Sequence, residues 1–262
     1  MFNFCRGKQV FGLIHLKPLP GTPFYQEGDF ELSMEKALAD VRALVKGGAD
    51  GCLIQTVDRV YPPGDDTDYT RLAAMTLICH EVRQAAGPDF TLGVQLMWNC
   101  ITPSLAAAKV GKADFIRCTA LVGTAPSPFG TIEAEPLKVQ NYRKAIGAGH
   151  IGLLAEIQGY HTGQEDPSQI TKAAFSALMA GADALEVYHA EEDINERLVR
   201  NIKNMPNPVP VVLGGGTNLE NVKRRMRYAD GVLVGSCFEG GNWGGLIDPG
   251  IVREYMNLIH SL

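Results

Sequence analysis

The chain of 262 residues and 28.3 kDa carries 24 Lys and Arg against 29 Asp and Glu, a net charge of −5 that excludes the basic footprint of a nucleic-acid binder. Hydrophobic residues at 45% and charged residues at 20% exclude a disordered chain, and the length suits one domain, residues 1–262. Six scattered cysteines (Cys5, Cys52, Cys79, Cys100, Cys118 and Cys237) form no Cys-x-x-Cys pair, and no long apolar segment is present, which points to a reducing cytoplasm rather than to a disulfide framework, a zinc knuckle or a transmembrane span.

Short apolar runs alternate with amphipathic segments along the chain. Strands are expected over 9–16, 51–57, 91–97 and 115–120, followed in turn by helices over 33–46, 69–86, 103–110 and 136–147. The stretch 123–130 is too rich in proline and glycine for regular structure. A fifth strand over 151–157 leads through a loop bearing Tyr160 and His161 to a helix that begins at Pro167 and is capped by Asp166. A sixth, 184–188, ends beside His189. Four junctions share one punctuation: Gly48-Ala49-Asp50-Gly51, Lys112-Ala113-Asp114-Phe115, Gly181-Ala182-Asp183-Ala184 and Tyr228-Ala229-Asp230-Gly231. In each, Asp turns the chain from the end of a helix into a buried strand.

The seventh apolar run, 209–213, breaks into Gly214, Gly215, Gly216, Thr217 and Asn218, with Asn218 as N-cap of a helix over 219–226. The eighth, 231–234, breaks into Gly235 and Ser236. Eight strands alternating with eight helical segments give an α/β chain folded as a single (β/α)8 TIM barrel. An open Rossmann sheet would need Gly-x-Gly-x-x-Gly after the first strand, and none is there. In a barrel, the loops after the last two strands are the usual phosphate cradle, which assigns Gly215, Gly216, Gly235 and Ser236 to a phosphorylated small molecule. Ordinary turn chemistry is the alternative for each glycine.

Barrel enzymes place their reactive groups at the carboxyl ends of the strands. There stand His15 and Lys17, Gln55 and Asp58, Gln95 and Asn99, Arg117, Glu156 with His161, and Glu186 with His189. His15 and His161 suit proton transfer. Glu156, flanked by Leu153, Leu154, Ala155 and Ile157, has to be either neutralised or paired. Arg117 needs an anion, either the substrate or Glu156. Asn99 serves either an oxyanion or the turn into its loop. The histidines and carboxylates permit a divalent metal, but no close ligand spacing supports one, and no organic cofactor is implied.

The run Val10, Phe11, Gly12, Leu13, Ile14, His15, Leu16, Lys17, Pro18, Leu19, Pro20, Gly21, together with Asp114 to Arg117, His161, Gly214 to Asn221 and Gly231 to Ser236, resembles the BtpA/SgcQ family. The resemblance implies a ribulose-phosphate-binding type of TIM barrel with His15, Asn99, Arg117 and His161 at its mouth and Gly215, Gly216, Gly235 and Ser236 around a phosphate. The resemblance brings no reaction with it, and the strand-end residues and the family's record together leave two functions open. The first is general acid/base chemistry, in a lyase or isomerase style, on a phosphorylated sugar or nucleoside-like metabolite. The second is non-catalytic assembly of a membrane complex of the photosystem I type, and a homo-oligomer is compatible with either. This chain departs from the family pattern at three places: Gln55-Thr56-Val57-Asp58-Arg59 replaces Glu-Asn-Phe-Gly-Asp, Tyr160 replaces a lysine, and Phe238 and Glu239 stand where a lysine often follows the last glycine loop.

Overall fold

The computed structural model describes residue 4, residues 7–159, residue 161 and residues 167–262. The expected Asp166 cap, Tyr160 and Cys5 lie outside the described residues. Strands β1 (Gln9–His15), β2 (Gly51–Gln55), β3 (Thr91–Gln95) and β4 (Phe115–Cys118) form one half of a closed barrel. A small hairpin of β5 (Thr124–Ser127) and β6 (Gly130–Glu133) intervenes before β7 (Gly152–Gln158), β8 (Ala184–Val187), β9 (Val211–Leu213) and β10 (Gly231–Val234), which complete the barrel by pairing β10 with β1. All barrel pairings are parallel, so every strand delivers its carboxyl end to one rim. Between the strands run α1 (Asp29–Gly47), α2 (Tyr69–Ala86), α3 (Ile101–Gly111), α4 (Pro136–Ala145), α5 (Ile170–Met179), α6 (Glu192–Lys203), α7 (Val222–Arg225) and α8 (Pro249–His260).

The four Asp junctions do more than turn the chain. Asp50, Asp114, Asp183 and Asp230 each accept, through Oδ2, the backbone N–H of Val10, Leu92, Leu153 and Val211 respectively, at 2.8, 2.8, 2.9 and 2.8 Å. Each then donates its own N–H back to the carbonyl of that same residue. A repeated aspartate therefore ties the start of one strand to the start of the next, satisfying amides that the ladder leaves open at the amino-terminal rim. Arg83, Arg143 and Lys203 neutralise Asp114, Asp183 and Asp230.

The barrel interior is layered by the two-residue period of its strands. Phe11, Leu53, Phe115, Leu154, Ala184, Val212 and Leu233 meet in one buried cluster, and Phe4 seals it, with its ring centroid 5.3 Å from that of Phe115. At the β3 position of this layer stands Gly93, whose missing side chain makes room for the Phe115 ring: a Cβ there would lie 2.3 Å from Phe115 Cζ. Two residues further along seven of the eight strands stand Gln55, Gln95, Arg117, Glu156, Glu186, Gly214 and Gly235, while β1 keeps the apolar Leu13. Hydrophobic burial thus closes the lower barrel and leaves a polar layer just under the carboxyl-terminal rim.

Three local expectations are corrected. The stretch 123–130 is not irregular throughout: Pro126 sits in a two-stranded ribbon, where both strands are edges and a missing N–H is tolerated, and Ala125 and Ile132 bury against Ala120 and Trp98. The helix expected over 219–226 is a single turn, Val222–Arg225, because Asn218 Oδ1 accepts the N–H groups of Glu220 and Asn221 and holds that segment as a side-chain-closed turn. Pro167 opens a 3-10 turn, Pro167–Gln169, ahead of α5.

Candidate active site

Glu156 and Glu186 are register partners on β7 and β8, so their side chains stand next to each other inside the barrel. A bulge directly after Glu156, where Gln158 and not Ile157 faces Val187, bends the end of β7. Two adjacent buried carboxylates repel, and Arg117 from β4 relieves the conflict. Its Nε donates to Glu186 Oε2 at 2.6 Å, and its Nη2 donates to Glu156 Oε2 at 3.2 Å and to Glu186 Oε1. Of the two partners left open for Arg117 by its sequence, the carboxylates are the ones found.

His161 completes the Glu156 shell. Its backbone N–H donates to Oε1 at 2.9 Å and its Nδ1 lies 2.9 Å from Oε2. Burial drives the Glu156 carboxyl towards its neutral form, yet the imidazole of His161 and the guanidinium of Arg117 outweigh it and hold the pKa down at about 2. Glu186 moves the other way: burial, with the Glu156 charge beside it, raises it in spite of Arg117. One arginine shared by two carboxylates separates their proton affinities.

A second imidazole–carboxylate pair stands at the end of β1. His15 Nδ1 is 2.9 Å from Oε1 of the fully buried Glu239, whose other oxygen accepts Gly244 N–H at 3.2 Å. Holding Nδ1 in this way leaves Nε2 as the ring nitrogen open to a ligand. The two glutamines of the layer carry further open valences. Gln55 Oε1 and Gln95 Oε1 are buried and accept no hydrogen bond from the described residues, while Gln95 Nε2 donates to Thr119 at 3.1 Å.

The glycine turns follow adjacent strands, and Gly235 lies against His15: a Cβ at Gly235 would be 3.1 Å from His15 Cε1. Gly215 and Gly216 take φ of 136° and 67°, which glycine alone adopts without strain. Among the described residues, the N–H groups of Gly215, Gly216, Ser236 and Cys237 meet no acceptor. Two turns at one rim therefore present unpaired amides on the same side of the mouth as His15.

Not every strand-end candidate joins the ring. Asn99 is spent on structure: its Oδ1 accepts Ala120 N–H at 2.8 Å and its Nδ2 donates to Ala120 O at 3.1 Å, which ties the end of β3 to that of β4. His189 accepts Glu191 N–H at 3.0 Å and shapes the loop before α6. Asp58 is buried with Arg71 and accepts Leu19 N–H, bracing the loops after β1 and β2. Lys17 pairs with Asp29 at 3.2 Å. In the sequence Gln55, Gln95 and Glu186 stand out only as polar strand ends, and Glu239 only as a residue in place of a lysine, because the partners of both glutamates lie far along the chain.

Above the ring, Trp98 packs edge-on against His161, with centroids 4.9 Å apart, and Tyr61 and Phe129 pack on Trp98 at 5.6 and 5.4 Å. Phe129 comes from the tip of the β5–β6 hairpin, so that hairpin forms part of the wall around His161.

Fold and site together define a parallel (β/α)8 barrel with a polar, histidine-bearing mouth at its carboxyl-terminal rim. The chain belongs to the BtpA family, whose model matches residues 6–261. It is 31% identical to an uncharacterised protein of Archaeoglobus fulgidus over 249 residues, covering 94% of this chain and 96% of that one. It is 27% identical to the photosystem I biogenesis protein BtpA of Synechocystis over 251 residues, covering 94% and 86% of the two chains. Among solved structures it is similar to thiamine phosphate pyrophosphorylase from Pyrococcus furiosus, with a TM-score of 0.59 at 16% identity, covering 99% of this chain and 97% of that one, a likeness of fold.

Proposed function

We propose that this protein is an enzyme that binds a phosphorylated sugar or nucleoside-like metabolite and moves a proton on it, in the manner of a lyase or isomerase. The observation that supports the reading is the set of amides at Gly215, Gly216, Ser236 and Cys237, unpaired among the described residues, in turns that follow adjacent strands, the second of which lies against His15. Such amides favour an oxyanion of phosphate without the need for a cation. The phosphate-linked name of the Pyrococcus barrel agrees with this reading.

His15, with Nδ1 fixed by Glu239, offers Nε2 as proton acceptor. Glu156, held near pKa 2, is too weak a base for the step at neutral pH, and its part is to orient His161. Arg117, bound to two carboxylates, sets their charge instead of clamping an oxyanion. Gln55 Oε1 and Gln95 Oε1 are acceptors aimed at substrate hydroxyl or N–H groups, and Asn99 keeps the rim in shape around them.

Thermal unfolding with a panel of phosphorylated metabolites and with inorganic phosphate tests the reading, since a ligand at one hundred times its Kd adds about 2.7 kcal/mol. Ser236 is exposed, and Ser236→Asp places a negative charge at the turn without disturbing the core. The rise should vanish in that variant; an undiminished rise, or none in the wild type with any phosphate compound, overturns the assignment.

The Synechocystis relative's name favours a second reading, a scaffold in the biogenesis of a membrane complex. No helix of the described residues is long and apolar enough to cross a membrane, so such a role would work through a docking surface. Co-purification of membrane-complex subunits with a variant lacking both His15 and His161 imidazoles would support it.

A further inference from the structure

A cavity of about 470 Å³ opens beside His15, outside the polar layer, between the start of α1 and the turn that carries Trp243 and Leu246. Its walls are apolar, from Leu32, Val57, Trp243 and Leu246. Three cations line it, Lys17, Lys36 and Arg59, and no carboxylate does. The acids nearby stand behind the cations: Asp29 holds Lys17, while Asp40 and Glu239 hold Lys36. Arg59 has no carboxylate partner among the described residues, and its guanidinium lies 4.3 Å from the centroid of the Phe24 ring.

Two features show that this space is open to a ligand. Trp243 and Leu246 are 60% and 63% exposed at the lip, an unusual cost for large apolar side chains standing together. The Trp243 ring is nevertheless fixed, tilted over the His15 imidazole with centroids 5.3 Å apart. An indole tilted against an imidazole, with the positive charge of Arg59 unpaired by any carboxylate of the described residues, matches a flat molecule with one anionic end.

We propose that this cavity is a binding site for an aromatic organic anion, its ring under Trp243 and Leu246 and its charge against Arg59. His15 forms part of its floor, so this ligand and a phosphate at the glycine turns would meet the same imidazole from two sides. None of Gly215, Gly216 and Ser236 lines the cavity, and the proposal stands whether or not those turns bind phosphate.

Trp243 is one of two tryptophans in the chain, and its emission reports the site directly. Phenylacetate serves as the probe, with acetate (charge alone), benzyl alcohol (ring alone) and inorganic phosphate as comparisons. Phenylacetate should quench the emission saturably and bind roughly tenfold more tightly than acetate or benzyl alcohol. Trp243→Phe should lose the signal while calorimetry still detects binding. Arg59→Gln and Leu246→Glu, both at exposed positions, should each weaken binding about tenfold with an unchanged circular dichroism spectrum. Ser236→Asp should leave phenylacetate binding intact. The proposal is overturned by a signal that does not saturate, by equal affinity for benzyl alcohol, by an unaltered affinity in Arg59→Gln, or by loss of phenylacetate binding in Ser236→Asp, which would merge this cavity with the glycine turns. Binding of phenylacetate without any binding of phosphate would sink only the phosphate assignment.

Discussion

Glu156 and Glu186 face each other across neighbouring strands, and the single guanidinium of Arg117 is hydrogen-bonded to both. Removing that guanidinium takes away the cation that the two buried carboxylates share. Arg117→Met should therefore destabilise the fold by about 3–5 kcal/mol, the usual cost of orphaning a buried charge. Urea unfolding measures it, and adding Glu186→Gln to the same chain should recover part of the loss because one of the stranded charges disappears. A loss in Arg117→Met below about 1 kcal/mol would show that the carboxylates take up protons with little penalty.

The same trio sets an acid limb to stability. Glu156 lies near pKa 2 in the folded chain against an ordinary 4.5, and a carboxylate lowered on folding contributes stability that is complete above its unfolded pKa and lost as pH falls through the folded one. The window is thus pH 4.5 down to about 2, and the contribution is on the order of 3 kcal/mol. Glu186, raised on folding, contributes with the opposite sign and blunts the total. Stability measured against pH should fall less steeply in Glu156→Gln across that window. Parallel curves for wild type and variant would remove Glu156 from the account.

Much of this was legible in the sequence, for definite physical reasons. The helix and strand periods differ, so alternating elements announce themselves, and the four Asp junctions marked the strand starts that Asp50, Asp114, Asp183 and Asp230 prove to tie. The expectation that Glu156 is neutralised or paired follows from its apolar neighbours, and pairing is the outcome. What stayed hidden was who meets whom across the barrel. Nothing local in Arg117 indicates Glu186, 69 residues on, as its closer partner. Glu239 was visible only as a departure from a cationic pattern, because its partner His15 lies 224 residues earlier. Asn99 stayed open between two roles because an amide that bonds backbone on both sides is indistinguishable, in sequence, from one aimed at a ligand.

Gly214 shows how tightly the polar layer is packed. A Cβ at this position would lie 2.1 Å from Glu186 Oε1, and that oxygen cannot swing away without breaking its bond to Arg117. Gly214→Ala should cost about 1–3 kcal/mol, as forced overpacking does. Gly149, with nothing within 4 Å and no positive φ, provides the comparison: Gly149→Ala should be neutral within about 0.5 kcal/mol. Equal midpoints of chemical unfolding for the two variants would mean that the carboxylate moves freely and that the layer is loose.

Glu239 fixes which nitrogen of His15 carries the proton. With a carboxylate oxygen 2.9 Å from Nδ1, that nitrogen must donate, and 15N NMR of the wild type should show the neutral His15 imidazole carrying its proton on Nδ1 with Nε2 bare. In Glu239→Gln the amide can turn either its oxygen or its NH2 towards the ring, so the Nδ1–H preference should weaken and Nε2–H signal should appear. The buried carboxylate also holds Gly244 N–H and stands 4.0 Å from Lys36, so stability should fall by about 1–3 kcal/mol. A purely structural Glu239 would give the stability loss with no change in the imidazole spectrum. If the variant keeps the wild-type nitrogen shifts, Glu239 supports the Trp243 turn and does not orient His15, and proton transfer at this end of the mouth must be assigned to His161.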